Sequence, residues 1–184
     1  LACLRGDGAG GFNGPTQLTT AAYPHDVAVG DFIGDGRGDL AVVDSSSVGV
    51  EVRLNNGDGT FAAPVYYLVE GNPAGVVTGD FNQDGKLDLA VTDFESTKID
   101  VLLGTGSGAF NPPIKPTVTT ASGGAVVGDF TEDGISDLAI SDYSSESFSI
   151  LRGVGAGILA LPNTHGRRGN RRHGGAGAAN HQGT

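Results

Sequence analysis

Three short stretches of the sequence place acids at the first, fifth and ninth positions of a loop with glycine at its sixth position. The middle stretch, GDFNQDGKLDLAV, supplies Asp80, Asn82, Asp84 and Asp88. These oxygens converge if the backbone curls around a point, and the glycine allows the sharp turn. Carboxylates held within a few ångströms repel one another unless a cation lies between them. A hard cation such as Ca²⁺ takes 6–8 oxygen ligands at about 2.3–2.6 Å, and this loop offers such a set.

The three loops differ in the residue at position three. The middle loop would ligate through Asp80, Asn82, Asp84, the Lys86 carbonyl and Asp88. The third loop would use Asp129, Thr131, Asp133, the Ile135 carbonyl and Asp137. The first loop has Ile33 at position three, which cannot ligate, and keeps Asp31, Asp35, the Arg37 carbonyl and Asp39. We predict two to three structural Ca²⁺ ions, with affinity decreasing from the middle loop to the third and then the first.

Two other interpretations of the acids are weaker. Asp, Asn and Gly are ordinary turn residues, so the acids of a single loop could simply be solvated. Three copies in register favour a metal site over that interpretation. An EF-hand would need a bidentate acid at position 12 and flanking helices. Position 12 is instead Val42, Val91 or Ile140, in an apolar run, so we predict a calcium loop within a β-hairpin.

An internal repeat organises the chain. The Gly-Asp-Phe triplets begin at Gly30, Gly79 and Gly128, which are 49 residues apart. The same step separates Phe12, Phe61 and Phe110, and it separates the acids that close the apolar runs, Asp44, Asp93 and Asp142. Because these last acids recur once per repeat, we interpret them as structural turn residues. A shared period for several features identifies a repeat protein.

Each repeat unit reads as four short strands. In the middle unit we predict strands over 74–81, 87–93, 98–104 and 109–120, with a Gly-containing turn at 105–108. Pro112, Pro113 and Pro116 mark the fourth strand as an edge, because proline donates no hydrogen bond to a sheet. Four short strands in about 40–50 residues are typical of a β-propeller blade. The predicted fold is therefore all-β, with propeller-type four-stranded blades.

The predicted domain covers residues 1–163, with a half blade at 1–22 and blades at 25–71, 74–120 and 123–163. That makes about three and a half blades, whereas closed propellers typically have 4–8. We therefore expect the chain to be part of a longer protein that supplies the remaining blades, rather than a piece that assembles with its own copies. Residues 164–184 are rich in Gly and Arg and break the repeat, and we expect a disordered tail.

Composition excludes several classes of function. Residues 1–164 contain all 21 Asp and Glu but only seven of the 11 Lys and Arg, so this part should repel nucleic acid and attract cations. No apolar run approaches the roughly 18–20 residues that a membrane span requires. No Ser–His–Asp or isolated carboxylate pair is present, and His25 reads as a blade-edge residue. We therefore expect a protein that is not an enzyme.

The stretch GDFNQDGKLDLAV, followed by IDVLLGTGSGAF, resembles the FG-GAP/VCBS repeat found in integrin α-subunit propellers and many secreted bacterial proteins. The resemblance covers about residues 1–163. It implies a β-propeller with Ca²⁺ in the blade hairpins, an extracellular or cell-surface location, and interaction with an extracellular protein or glycan, as in cell adhesion.

Two alternatives remain open. A lectin-like module would use clustered aromatic side chains, for which Tyr66, Tyr67, Tyr143 and Phe94 are candidates. The chain could also be the non-catalytic propeller part of a secreted polysaccharide lyase or phospholipase.

Overall fold

The structure, a computed structural model, describes residues 1–20, 23–45, 49–118, 122–142, 147–155 and 163–166. These residues form four antiparallel sheets and contain no helix, and hence none that could cross a membrane. The first unit is a two-stranded sheet of β1 (Ala2–Cys3) and β2 (Thr16–Gln17). The other three sheets follow the 49-residue repeat, and we call them blades A, B and C.

The blades are meanders in which each strand pairs with the next along the chain. Blade A contains β3 (Pro24–Gly30), β4 (Asp39–Asp44), β5 (Gly49–Arg53) and β6 (Val65–Leu68). Blade B contains β7 (Pro73–Gly79), β8 (Asp88–Asp93) and β9 (Asp100–Leu102). Blade C contains β10 (Ser122–Gly128), β11 (Asp137–Asp142), β12 (Ser147–Leu151) and β13 (Asn163–Gly166). The first strands of the blades are neighbours, since β3 contacts β7 and β7 contacts β10. The sheets are thus arranged as part of a propeller, as the repeat predicted.

The predicted fourth strand of the middle unit is wrong as a continuous strand. The chain after the turn makes only isolated bridges, Gly104 with Phe110, Val101 with Ile114 and Lys98 with Thr117. The three prolines of this segment explain the interruption, because a residue without an N–H cannot extend a ladder of hydrogen bonds. Blade A keeps a proline at one of these positions, Pro64, but has Ala63 and Tyr67 at the other two, and it forms the regular strand β6 directly after Pro64.

The apolar core lies between the blades. One cluster joins blades A and B and contains Phe32, Ala41, Val43, Val50, Val52, Val69, Val76, Leu89, Val91, Leu102 and Phe110. A second joins blades B and C and contains Phe81, Ala90, Ile99, Val101, Val118, Leu138, Ile140 and Leu151. Side chains alternate between the two faces of a strand. Each blade therefore presents one face to the preceding blade and the opposite face to the next.

The end of the last blade differs from its predicted boundary. The tail was expected to begin at residue 164, but β13 pairs with β12 as far as Gly166, which lies opposite Ser147. The four residues of β13 form the fourth strand of blade C. The rest of the predicted tail, residues 167–184, lies outside the described residues.

Candidate metal-binding loops

The three acidic loops connect the first and second strands of blades A, B and C. Each begins directly after the first strand, and its ninth residue is the first residue of the second strand. The sixth position is a glycine with positive φ in every loop, at 82°, 79° and 82° for Gly36, Gly85 and Gly134. The loops therefore curl where the sequence predicted, and they do so because glycine tolerates this backbone conformation.

The carboxylate at position one closes the curl. Asp80 accepts hydrogen bonds from the N–H of Asp84 (3.1 Å) and of Gly85 (2.9 Å). Asp129 makes the equivalent bonds at 3.1 and 2.9 Å. Asp31 does the same, with its shortest bond, 2.7 Å, to the N–H of Gly36. Chiefly through this bond, the backbone donors lower the pKa of Asp31 below its ordinary value.

Positions three and five lie beside position one. In the middle loop the N–H of Asp84 is shared by Asp80 Oδ1 and Asn82 Oδ1, at 3.1 and 3.0 Å. These two oxygens therefore converge on one point. The carboxylate at position five in turn accepts the N–H of position seven, at 3.0 Å for Lys86, 3.0 Å for Arg37 and 2.9 Å for Ile135. In the middle loop, hydrogen bonds thus link the residues at positions one, three, five and seven.

Two of the loops carry an internal counter-charge. Lys86 Nζ lies 3.2 Å from Asp84, and the Arg37 guanidinium lies 3.1 Å from Asp35. Burial raises the pKa of Asp84, but hydrogen bonds from Lys86 and Asn82 outweigh it and leave that pKa below the ordinary value. The third loop has Ile135 at this position, so it lacks the equivalent cation.

The carboxylate at position nine has a second role that the sequence analysis missed. Asp88 is fully buried, and its two oxygens accept the N–H of Phe81 at 2.9 Å and of Gly104 at 2.8 Å. Asp39 and Asp137, also fully buried, repeat the pattern in blades A and C. This residue ties the start of the loop to the end of the third strand. The sequence contained a signal for this role. An acid at the first position of an apolar strand is buried with that strand and must find hydrogen-bond donors.

Burial is the main cause that raises the pKa of Asp88, and the two backbone hydrogen bonds oppose it. The charges of Asp84 and Asp80 raise this pKa further. The charges of both acids therefore act on Asp88. A cation placed among them would remove that repulsion.

The described residues do not form a closed ligand group. No three Asp, Glu, His or Cys side chains in this part of the chain are grouped so that they could hold a metal ion. Their oxygens point instead to backbone N–H groups, as described above. The donor chemistry nevertheless fits a hard cation, since every candidate ligand is an oxygen. In the third loop, Thr131 Oγ1 is buried and has no hydrogen-bond partner among the described residues.

The recurrent acids at the ends of the second strands have structural contacts. Asp44 accepts the N–H of Tyr23 at 3.0 Å, and Asp93 accepts the N–H of Asn72 at 2.8 Å. Asp142 accepts the hydroxyl of Ser147. In blades A and B these bonds connect the end of the second strand to the residue just before the first strand. This is the contact expected of a structural turn acid.

The aromatic candidates for glycan binding that the structure describes have different environments. Tyr67 packs edge to face on Phe110 and its hydroxyl accepts that residue's N–H, so it belongs to the junction between blades A and B. Tyr66 is exposed on the opposite face of β6. Phe94 packs on His25 at 5.4 Å. Tyr143 lies outside the described residues.

Two solved structures with a similar fold come from longer chains. One is a lectin from Agrocybe aegerita that recognises non-reducing terminal N-acetylglucosamine, with 22% identity and a TM-score of 0.54 over 77% of this chain. Another is BBS1N in complex with ARL6DN, with 15% identity and a TM-score of 0.54 over 79% of this chain. This chain spans 39% and 40% of those two proteins. At these identities the likeness shows the fold alone.

Sequence comparison identifies the repeat itself. No curated protein matches this chain. The model of the FG-GAP-like repeat matches it twice, at residues 31–91 and 80–140. Each match runs from one acidic loop through the next and ends in the following second strand. The two matches together span more than half of the chain, and the chain therefore belongs to the FG-GAP-like repeat family.

Proposed function

We propose that this chain is a Ca²⁺-binding segment of an extracellular β-propeller that acts as a binding module for a protein or cell-surface partner. The observation that carries the calcium proposal is the middle loop, where Asp80 Oδ1 and Asn82 Oδ1 share the N–H of Asp84 and the Asp84 carboxylate accepts the N–H of Lys86. Extracellular Ca²⁺ is abundant enough to fill even weak sites of this kind. The ion would neutralise the acids and hold the hairpin, so its role would be structural.

The carboxylates of the middle loop keep free lone pairs after accepting backbone N–H groups, since an ionised carboxylate has about four acceptor sites. Asp80 and Asp84 could therefore ligate a cation while they hold the turn, and Asp84 would release Lys86. Asn82, the Lys86 carbonyl and Asp88 would complete the ligand set. In the third loop, the unpartnered hydroxyl of Thr131 would take the place of Asn82.

Thermal unfolding tests the proposal. A ligand that binds only the native state stabilises it by about 2.7 kcal/mol at a hundredfold excess over Kd. We expect the melting temperature to rise in Ca²⁺ relative to EDTA and to change much less in Mg²⁺, which demands a near-ideal octahedral site. Melting curves that coincide in Ca²⁺ and EDTA would contradict the proposal.

The loops should differ in affinity. Asp84→Ala should weaken Ca²⁺ binding more than Asp35→Ala, because Asn82 completes the middle loop whereas Ile33 leaves the first loop one ligand short. The pair is matched, since each variant also removes one exposed ion pair with the base at position seven. Binding isotherms of the two variants give the comparison. Equal losses would contradict the predicted order of affinities.

A second candidate is a lectin-like module, and one solved structure of similar fold, from Agrocybe aegerita, is a lectin. Tyr66 and Phe94 are its remaining described candidates. Glycan-array binding that disappears in Tyr66→Ala would support it. The third possibility, a non-catalytic propeller beside a lyase or phospholipase domain, also stays a proposal and would need the sequence of any adjoining domain.

A further inference from the structure

The middle and third acidic loops contact each other across the junction between blades B and C. Gln83, at position four of the middle loop, donates a hydrogen bond from its side-chain Nε2 to the carbonyl oxygen of Gly134 at 3.3 Å. Gly134 is the glycine at position six of the third loop. The Oε1 atom of Gln83 lies beside Gly155, the turn glycine after β12, and would be 3.3 Å from a Cβ placed there. The Gln83 amide thus contacts blade C at two places.

The accepting carbonyl belongs to a peptide that positions a candidate ligand. The other end of this peptide, the N–H of Ile135, donates to Asp133 Oδ1 at 2.9 Å. Hydrogen bonds at the two ends of one peptide polarise it and strengthen each other. Asp133 is the candidate ligand at position five of the third loop, and the carbonyl of Ile135 is the candidate at position seven. Gln83 therefore helps to orient a peptide that lies between two candidate ligands of the neighbouring loop.

The middle loop in turn holds Gln83 in place. The N–H of Asp84, the next residue, is accepted by Asp80 Oδ1 at 3.1 Å and by Asn82 Oδ1 at 3.0 Å. Both oxygens belong to candidate ligands, and Asn82 is also the residue before Gln83. If these residues hold an ion, the backbone on both sides of Gln83 is fixed, and its side chain is directed toward Gly134.

The other two loops show that the contact belongs to the side chain rather than to the loop conformation. Position four has a positive φ in every loop, at 75° for Gly34, 60° for Gln83 and 57° for Glu132. Gly34 has no side chain with which to reach blade B. The first loop therefore cannot make the bond that connects the middle and third loops, although its backbone turns in the same way.

We propose that Gln83 couples the middle and third loops, so that Ca²⁺ bound in one loop increases the affinity of the other. This coupling rests on the proposed Ca²⁺ function and concerns two of its sites. Coupling between binding sites is reciprocal, so both loops gain the same factor. We expect a factor of about 2 to 5, the lower part of the range for one neutral hydrogen bond, because the bond is exposed.

Nuclear magnetic resonance titration with Ca²⁺ gives the affinity of each loop separately. The glycine N–H at position six donates to the carboxylate at position one in every loop, so its resonance reports on its own loop. Asp84→Ala disables the middle loop. We expect this variant to lower the affinity of the third loop, read at Gly134, by about 2- to 5-fold. The affinity of the first loop, read at Gly36, should not change.

Gln83→Asn removes the bond without changing the charge. Asparagine tolerates positive φ and keeps the amide, but its side chain is one methylene too short to reach Gly134. We expect the third loop to bind Ca²⁺ about 2- to 5-fold more weakly than in the wild type, and Asp84→Ala to cause no further loss in this background. Gly34→Asn is the matched control, because it places the same residue at position four of the first loop, where a Cβ has no described neighbour within 4 Å. It should leave the affinity of the third loop unchanged.

Equal affinities of the third loop in the wild type and in Gln83→Asn would overturn the coupling and leave the proposed Ca²⁺ binding intact. A further loss caused by Asp84→Ala in the Gln83→Asn background would also overturn it, because the loops would then communicate by another route. If none of the three glycine resonances shifts with Ca²⁺, the proposed function is wrong and the coupling with it. Melting temperatures in EDTA that match the wild type would show that the variants remain folded.

Discussion

Phe81→Ala should lower the free energy of unfolding by about 3–5 kcal/mol, the usual cost of removing a fully buried phenylalanine from a core. Its ring is 0% exposed and packs in the cluster that joins blades B and C. A Cβ on Gly79 would come within 3.0 Å of this ring, so the backbone lies directly against it. The space left by alanine could not collapse without moving two blades. Urea denaturation measures the loss.

Phe130→Ala is the matched control for this prediction. The residue occupies the same repeat position in blade C but is 46% exposed. We expect a loss of less than about 1 kcal/mol, because much less apolar surface leaves the water there on folding. Equal losses in the two variants would contradict the assignment of Phe81 to a junction between blades.

Asp88→Ala should destabilise the chain by roughly 2–6 kcal/mol, with or without Ca²⁺. Asp88 accepts two buried N–H groups, those of Phe81 and Gly104. Each donor left unpaired in the interior costs about 1–3 kcal/mol. Denaturation in EDTA measures this structural part alone.

Asp84→Ala is the control for Asp88→Ala. Asp84 lies at the loop surface and pairs with Lys86, and exposed ion pairs add little to stability. We expect Asp84→Ala to change stability little in EDTA and to remove much of the stabilisation by Ca²⁺. If Asp88→Ala were as stable as the wild type in EDTA, the structural role of the ninth acid would be wrong.

The period and the loop residues were enough to predict the blades and the curl of the acidic loops. The strand pairing could be predicted because the period is regular. Asp39, Asp88 and Asp137, 49 residues apart, each begin the second strand of a blade and pair with the last residue of the first strand. The loop conformation followed because glycine at position six accepts the positive φ that it has in all three blades. These are local features, and local sequence determines them.

Contacts between distant parts of the chain could not be predicted in the same way. Asp88 bonds to the N–H of Gly104, 16 residues away, and nothing in the loop specifies that partner. Phe81 was predicted as the last residue of a strand, whereas its ring enters the junction with the next blade. The fourth strand of blade B was predicted over 109–120 as an edge strand, but its three prolines prevent regular pairing.

The central claim is that the acidic loops bind Ca²⁺, and titration calorimetry of the EDTA-treated chain tests it most directly. The account predicts two or three bound ions, with the tightest site lost in Asp84→Ala. A chain that is folded by circular dichroism but takes up no Ca²⁺ would contradict the account. In that case, the acids at positions one and five would serve only to close the turns.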